Sequence, residues 1–159
     1  MGDAAHIEFR PASVQSGPGA ELLRAMREEI AAIYDGLDLD GPQMPRAGAA
    51  ELSPPHGTLL VGVRDGAPIC VGGIKRLDER ACEIKRMFVA PEARGQGVAR
   101  QLLAALEEAG RELGYAVVRL DTGPDQPHAR ALYESAGYVE IQNFNDNPVA
   151  TYFAEKPLR

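Results

Sequence analysis

The stretch PEARGQGVAR at residues 91–100 places two glycines and flanking arginines at the start of a predicted helix. A glycine inside a helix costs about 1 kcal/mol relative to alanine, so Gly95 and Gly97 indicate that the backbone must stay bare here. Unpaired N–H groups and the positive end of the helix dipole attract phosphate, and Arg94 and Arg100 add positive charge. The residues alone favour a pyrophosphate site, with a tight strand-to-helix turn carrying a solvated arginine as the alternative.

Three phosphate-binding motifs compete for this segment. A P-loop ends in Gly-Lys-Ser or Gly-Lys-Thr, which the segment lacks. The dinucleotide fingerprint needs a third glycine or alanine where this chain has Arg100, and no early βαβ unit opens the chain. The pattern Arg/Gln-x-x-Gly-x-Gly/Ala remains, and Arg94, Gly97 and Ala99 match it in full.

The elements that position this segment are predicted from apolar spacing and turn residues. Alternating apolar residues predict strands, apolar residues three or four apart predict helices, and Asp65-Gly66 marks a hairpin. The segment 37–57 is rich in proline and glycine and predicts a long loop with a short helix near Ala47 to Leu52. The predicted order is strand, helix, loop, three strands, helix, strand, helix and two strands. This order indicates a mixed α/β domain with an antiparallel first half and one right-handed crossover around the glycine segment.

Composition is typical of a soluble cytoplasmic protein. The 159 residues suit one domain, 1–159, and the net charge of −6 disfavours general nucleic-acid binding. No apolar stretch approaches the length that spans a bilayer, and the first ten residues lack a secretory pattern. Cys70 and Cys82 fall on neighbouring predicted strands, but Cys82 is expected to face a residue near Lys75. We therefore predict two buried free thiols.

Two longer segments carry a family resemblance. CEIKRMFVAPEARGQGVARQLL, followed by ARALYESAGYVEI, closely resembles the GNAT superfamily of acyl-CoA-dependent N-acyltransferases. The resemblance is specific from about residue 58 to 141. It implies a GNAT-like α+β domain over residues 1–159, with a mixed, mostly antiparallel central sheet, one splayed parallel pair and flanking helices. The first helix and the long loop fit the variable acceptor-binding region of that family.

The resemblance implies acetyl-CoA as the cosubstrate. Backbone groups of Met87, Phe88 and Val89 would pair with the pantetheine arm, and a backbone N–H would polarise the acyl carbonyl. Gln126 stands where the family usually has asparagine, and its side chain would hydrogen-bond the cosubstrate. The pyrophosphate would lie at the glycine segment, formed by Arg94, Gly95, Gln96, Gly97, Val98, Ala99 and Arg100.

The same resemblance implies two catalytic side chains. Glu83 lies six residues before Val89 and matches a glutamate that several family members use as a base, often through water. The alternative is a strand-surface glutamate paired with Lys75 or Lys85. Tyr133 in ALYESAGY matches the tyrosine that protonates the leaving CoA sulfur, and its alternative is a core tyrosine with its hydroxyl at the surface.

The expected function is acetyl-CoA-dependent N-acetylation of a primary amine on a small molecule. The alternatives are acetylation of protein lysines or N-termini and a CoA-binding sensor without turnover. Tyr34, Asp35 and Asp38 end the first helix where the family builds the acceptor site, and Phe144 or Asn147 could touch the acceptor, although solvated or turn residues are the simpler interpretation. We expect no metal and allow a homodimer.

Overall fold

The structure, a computed structural model that describes residues 6–159, is built around one seven-stranded sheet. In spatial order the sheet runs β1-β2-β3-β4-β5-β7-β6, and β4 and β5 are parallel while the other described neighbours are antiparallel. The predicted fold class is confirmed. The strands are β1 (Glu8–Pro11), β2 (Thr58–Arg64), β3 (Ala67–Arg76), β4 (Ala81–Val89), β5 (Val117–Thr122), β6 (Val139–Glu140) and β7 (Tyr152–Pro157). The helices are α1 (Gly17–Ile33), α2 (Val98–Glu112) and α3 (Pro127–Ser135), with a 3₁₀ turn at Pro91–Ala93.

The two faces of the sheet bury two apolar clusters. Along β2, Leu59 and Val61 pack with the buried face of α1, whereas Leu60 lies in the cluster that contains α2. This alternation follows from the two-residue period of a strand, which sends successive side chains to opposite faces. Burial of both faces therefore fixes the register that carries β4 into the middle of the sheet.

Strand β4 leaves its parallel neighbour after the first third of its length. The paired register with β5 ends at Glu83 opposite Arg119, although β4 continues to Val89. On its other side, β4 bulges: the register with β3 shifts between Val71 and Gly73, and Arg86 opposite that shift has φ +62°. A bulge bends and twists its strand. The result is the splayed parallel pair that the resemblance implies.

Several smaller predictions can be compared with the structure. Asp65 and Gly66 both have positive φ in the turn between β2 and β3, as a two-residue hairpin requires. The predicted helix near Ala47 to Leu52 is wrong, because that segment forms only a turn in which Leu52 N–H donates to the Gly48 carbonyl at 3.0 Å. Cys70 and Cys82 are buried free thiols, as predicted. Within residues 6–159, no helix combines the length and apolar character needed to cross a membrane.

Candidate active site

A cleft of about 1040 Å³, including its open mouth, lies where β4 separates from β5. Its walls come from the end of α1 and the following loop, from β4, from the end of β5, and from α3 and the loop before β7. Among the sequence-predicted site residues, Met87, Phe88, Gln126 and Tyr133 line this cleft. The splay therefore brings segments that are far apart in sequence around one space.

The glycine segment presents a bare and exposed backbone at the start of α2. Gly95 has φ +75°, and Gly97, the residue that caps α2, has φ +78°. Residues that carry a side chain rarely adopt these φ angles, and this explains why glycine occupies both positions. An added Cβ at either position would meet no atom within 4 Å, so the space in front of the backbone is open. Open N–H groups at a helix start suit an anion such as pyrophosphate.

Protein partners hold the side chains around these glycines. Arg94 donates to both carboxylate oxygens of Glu29 at 2.8 and 3.0 Å and to the Val89 carbonyl at 2.9 Å, and its guanidinium lies over the Phe88 ring. Arg100 donates to Ser135 Oγ at 2.7 Å. Both arginines therefore tie the segment to neighbouring elements.

The other residues predicted to bind acetyl-CoA make structural contacts with neighbouring elements. Gln96 accepts a hydrogen bond from Arg64 at 2.8 Å, Val98 is buried in the core, and Ala99 is half-buried in the first turn of α2. Val89 packs against the core at the end of β4. These side chains hold the segment in place and leave its backbone free.

Glu83 lies in a buried polar network behind the cleft. Its Oε2 accepts from Asn145 Nδ2 at 2.8 Å and lies 3.2 Å from Lys85 Nζ, and its Oε1 is buried without a partner among the described residues. Asn145 Nδ2 also donates to Asp121 Oδ2 at 2.6 Å, and Lys85 Nζ lies 3.8 Å from the same oxygen. The surface alternative for Glu83 is wrong, since its side chain is fully buried, but the predicted pairing with Lys85 is present.

Burial sets the protonation of the two candidate catalytic groups. It raises the pKa of Glu83, and nearby Asp121 raises it further, while Lys85 and the hydrogen bond from Asn145 oppose the shift. Burial also raises the pKa of Tyr133, again with a contribution from Asp121. The Tyr133 hydroxyl therefore keeps its proton at neutral pH, and its hydrogen-bond partner is the Met87 sulfur at 3.9 Å.

The candidate acceptor residues divide between the cleft and the surface. Tyr34 lines the cleft, and its hydroxyl accepts a weak 3.5 Å hydrogen bond from Gln126. Asn147 also lines it and donates to Asp121 at 3.1 Å. Asp35 and Asp38 are exposed outside the lining, and Phe144 packs edge-on against Phe153.

The sequence prediction did not include three residues of this site: Arg86, Asp121 and Asn145. Lys85 was named as a partner of Glu83, and the two residues share a face because they are two apart on one strand. Asp121 lies one residue before the end of the parallel strand β5, and that position was a signal in the sequence. Asn145 reaches Glu83 across 62 residues of chain, and no local pattern indicates that contact.

Comparisons with known proteins agree with this geometry. The sequence profile of the acetyltransferase (GNAT) family matches residues 21–138. An IAA acetyltransferase of Azospirillum brasilense is 36% identical over 111 residues, covering 67% of this chain and 72% of the relative. A crystal structure described as an acyl-CoA N-acyltransferase from Klebsiella pneumoniae superposes with a TM-score of 0.76 at 29% identity, covering 96% of this chain and 98% of that chain.

A more distant structure shares the fold. The GNAT acetyltransferase of Elizabethkingia anophelis, solved with acetyl-CoA bound, has a TM-score of 0.65 at 16% identity over 95% of this chain and 97% of that chain. The family profile runs from α1 to just beyond α3 and thus spans the candidate site except for the loop before β7. The protein therefore belongs to the GNAT family of acetyltransferases and is an acyl-CoA-dependent N-acyltransferase.

Proposed function

We propose that the protein transfers an acetyl group from acetyl-CoA directly to a primary amine of a small molecule. The observation that carries the proposal is the cleft at the β4–β5 splay, with the Tyr133 hydroxyl and the Met87 sulfur on its wall. A small acceptor is favoured because the first-helix end, its following loop and the loop before β7 surround the cleft. Titratable groups, a concave cleft and open backbone donors are the features expected of a catalytic site.

The residues of the donor half fit acetyl-CoA. The open N–H groups at Gly95 and Gly97 and the start of α2 would hold the pyrophosphate. The backbone of β4 from Met87 to Val89, beyond its pairing with β5, would hold the pantetheine amides. When bound, acetyl-CoA supplies an activated thioester. Gln126 at the start of α3 faces the same space and would donate a hydrogen bond to the cosubstrate.

Proton movement follows from the two buried groups. Tyr133 Oη keeps its proton at neutral pH and would give it to the departing sulfur. The carboxylate of Glu83 has a raised pKa and would accept the proton of the amine through an intervening water, since Glu83 itself does not line the cleft. Burial raises the pKa of Cys70 to about 11 and of Cys82 to about 12, so both thiols stay protonated and direct transfer is favoured over a covalent acyl-enzyme.

The test is thiol release from acetyl-CoA across a panel of small amines and lysine-containing peptides, with wild type and Tyr133→Phe. Among the described residues, the Tyr133 hydroxyl hydrogen-bonds only the Met87 sulfur at 3.9 Å, so we expect its removal to leave the folded state nearly unchanged. We expect a decrease in kcat of about 100-fold with unchanged affinity for acetyl-CoA, because a positioned general acid contributes on that order.

Tyr152→Phe is the matched control. Its hydroxyl is also buried, has no partner among the described residues and lies outside the cleft lining. This variant should keep wild-type kcat. Faster release with peptides than with every small amine would favour the protein-acetylating alternative. Binding of CoA without release by any acceptor would favour the sensor and refute the proposal.

A further inference from the structure

Arg86 introduces a cation into the wall of the cleft at an unusual backbone position. Its φ of +62° places it on the β4 bulge, in a region that residues other than glycine seldom occupy. Such strain costs roughly 1–2 kcal/mol, and outliers of this kind cluster at functional sites. The Arg86 side chain is only 9% exposed and lines the cleft.

The protein neutralises this cation incompletely. Arg86 Nη2 donates to the Leu39 carbonyl at 3.3 Å and to Asp40 Oδ1 at 3.4 Å, and both bonds are long. Asp40 is 58% exposed, so water screens its charge. Nε and Nη1 of Arg86 donate to no described residue. The planar guanidinium has the geometry to bind a carboxylate through two parallel hydrogen bonds, and in Arg86 two of its nitrogens have no partner among the described residues and are free to do so.

The same cleft also contains a nearly buried carboxylate. Asp121 lies one residue before the end of β5, lines the cleft and is 10% exposed. Its Oδ2 accepts hydrogen bonds from Asn145 and Asn147 and lies 3.8 Å from Lys85 Nζ. Its Oδ1 accepts a hydrogen bond from no described residue. Burial lowers the pKa of Arg86, and Asp121 and Glu83 act against that change, so these charges are within electrostatic reach of one another. Asp121 Oδ1 is therefore placed to attract an ammonium group.

Apolar side chains from α1 and the following loop line the cleft that contains these two charges. These residues are Met26, Ile30, Ile33, Leu37, Leu39 and Met44. They would bury an aliphatic or aromatic group of the acceptor, at about 25 cal/mol per Å² of apolar area.

We infer that the acceptor is an amino acid or a similar amino-carboxylate with an apolar side chain, whose carboxylate binds Arg86 and whose amine lies beside Asp121. This inference rests on the proposed function and names its substrate class. A carboxylate on Arg86 would fix the amine in one orientation, and fixed orientation is a major source of rate in a two-substrate transfer.

The experiment compares two acceptors that differ in the carboxylate alone: L-leucine and 3-methylbutylamine. We expect kcat/KM for L-leucine to be at least 10-fold higher. Arg86→Gln should lower the L-leucine value about 10- to 100-fold, the loss expected for a hydrogen bond between charged groups, and should lower the amine value by a much smaller factor. L-phenylalanine with 2-phenylethylamine forms a second pair.

Arg86→Gly is the second variant, because glycine adopts the φ of +62° without strain and the fold is thereby kept. Arg27→Gln is the control: it removes the same charge from an exposed residue of α1 that influences Arg86 electrostatically but lies outside the cleft lining. This variant should change kcat/KM for neither acceptor by more than about twofold, as expected for a screened surface charge.

Equal kcat/KM values for L-leucine and 3-methylbutylamine, or an equal loss of both values in Arg86→Gln, would overturn the inference. Calorimetry on the CoA-saturated protein keeps the two proposals separate. If no acceptor releases thiol, the proposed function fails. L-leucine binding that is lost in Arg86→Gly would still support the carboxylate site, and absence of L-leucine binding to wild type would reject it.

Discussion

Replacement of Asn145 by alanine should change the acidity of Glu83 without touching the cleft wall. The side-chain amide of Asn145 donates to Glu83 at 2.8 Å and to Asp121 at 2.6 Å, and thus bridges two buried carboxylates. The bond to Glu83 favours its ionised form and lowers its pKa against the effect of burial. Loss of Asn145 must therefore raise the pKa of Glu83 further.

The size of the change follows from the burial of the pair. A hydrogen bond to a charged group contributes about 1.5–3 kcal/mol, and one pKa unit corresponds to about 1.36 kcal/mol. The Glu83 side chain is fully buried, so water replaces the lost donor poorly. We expect the pKa of Glu83 to rise by about one to two units. If ionised Glu83 is the base, the acid limb of kcat/KM moves to higher pH by the same amount, and the plateau above it is largely kept.

The assay is kcat/KM against pH with an acceptor found by the amine panel, together with an NMR titration of the labelled Glu83 carboxyl carbon. Asn147→Ala is the matched control, since Asn147 comes from the same loop but donates only to Asp121 among the two carboxylates. Its acid limb should stay within a few tenths of a pH unit of wild type. A uniform loss of activity at every pH in Asn145→Ala, with no movement of the limb or of the titration, would refute the base role of Glu83.

Two further predictions concern the donor half. Gly97→Ala should raise the KM for acetyl-CoA about 10-fold and cost about 1–2 kcal/mol of stability, because φ is +78° and the new Cβ enters the open space before the backbone. Gly114→Ala, with φ +98° beyond the opposite end of α2, should show the stability loss alone in urea unfolding. Arg94→Gln should change the free energy of unfolding by at most about 1 kcal/mol, since its pair with Glu29 is largely exposed, yet raise the KM for acetyl-CoA several-fold by releasing the loop. An unchanged KM in either variant, measured by initial rates, would contradict the assigned role.

The donor half of the site was predictable because its signals are local. Gly95 and Gly97 are two residues apart, and their positive φ angles explain why glycine occupies both positions. The hairpin at Asp65 and Gly66 was predictable for the same reason. By contrast, the predicted helix near Ala47 to Leu52 is wrong, because a six-residue segment forms too few backbone hydrogen bonds to offset the cost of starting a helix.

The acceptor half was not predictable because it is assembled from distant segments. Asn145 and Asp121 are 24 residues apart, and Asn145 and Glu83 are 62 residues apart, yet they share one buried network. The bulge at Arg86 shifts the register of β4 by one residue, and no periodicity in the sequence reveals on which residue that shift falls. A one-residue shift decides whether a charged side chain enters the cleft or leaves it.

These two halves therefore differ in how they specify chemistry. The donor half would hold its ligand mainly with backbone groups that two glycines and a helix start provide, so its specificity would follow from a short motif. The acceptor half, as inferred above, would use the side chains of Arg86 and Asp121, positioned by a bulge and by a loop from near the end of the chain. Two chains with the same donor motif can thus differ in acceptor through a single bulged residue. The acceptor specificity of this protein should consequently change with substitutions at position 86 while its affinity for acetyl-CoA stays constant.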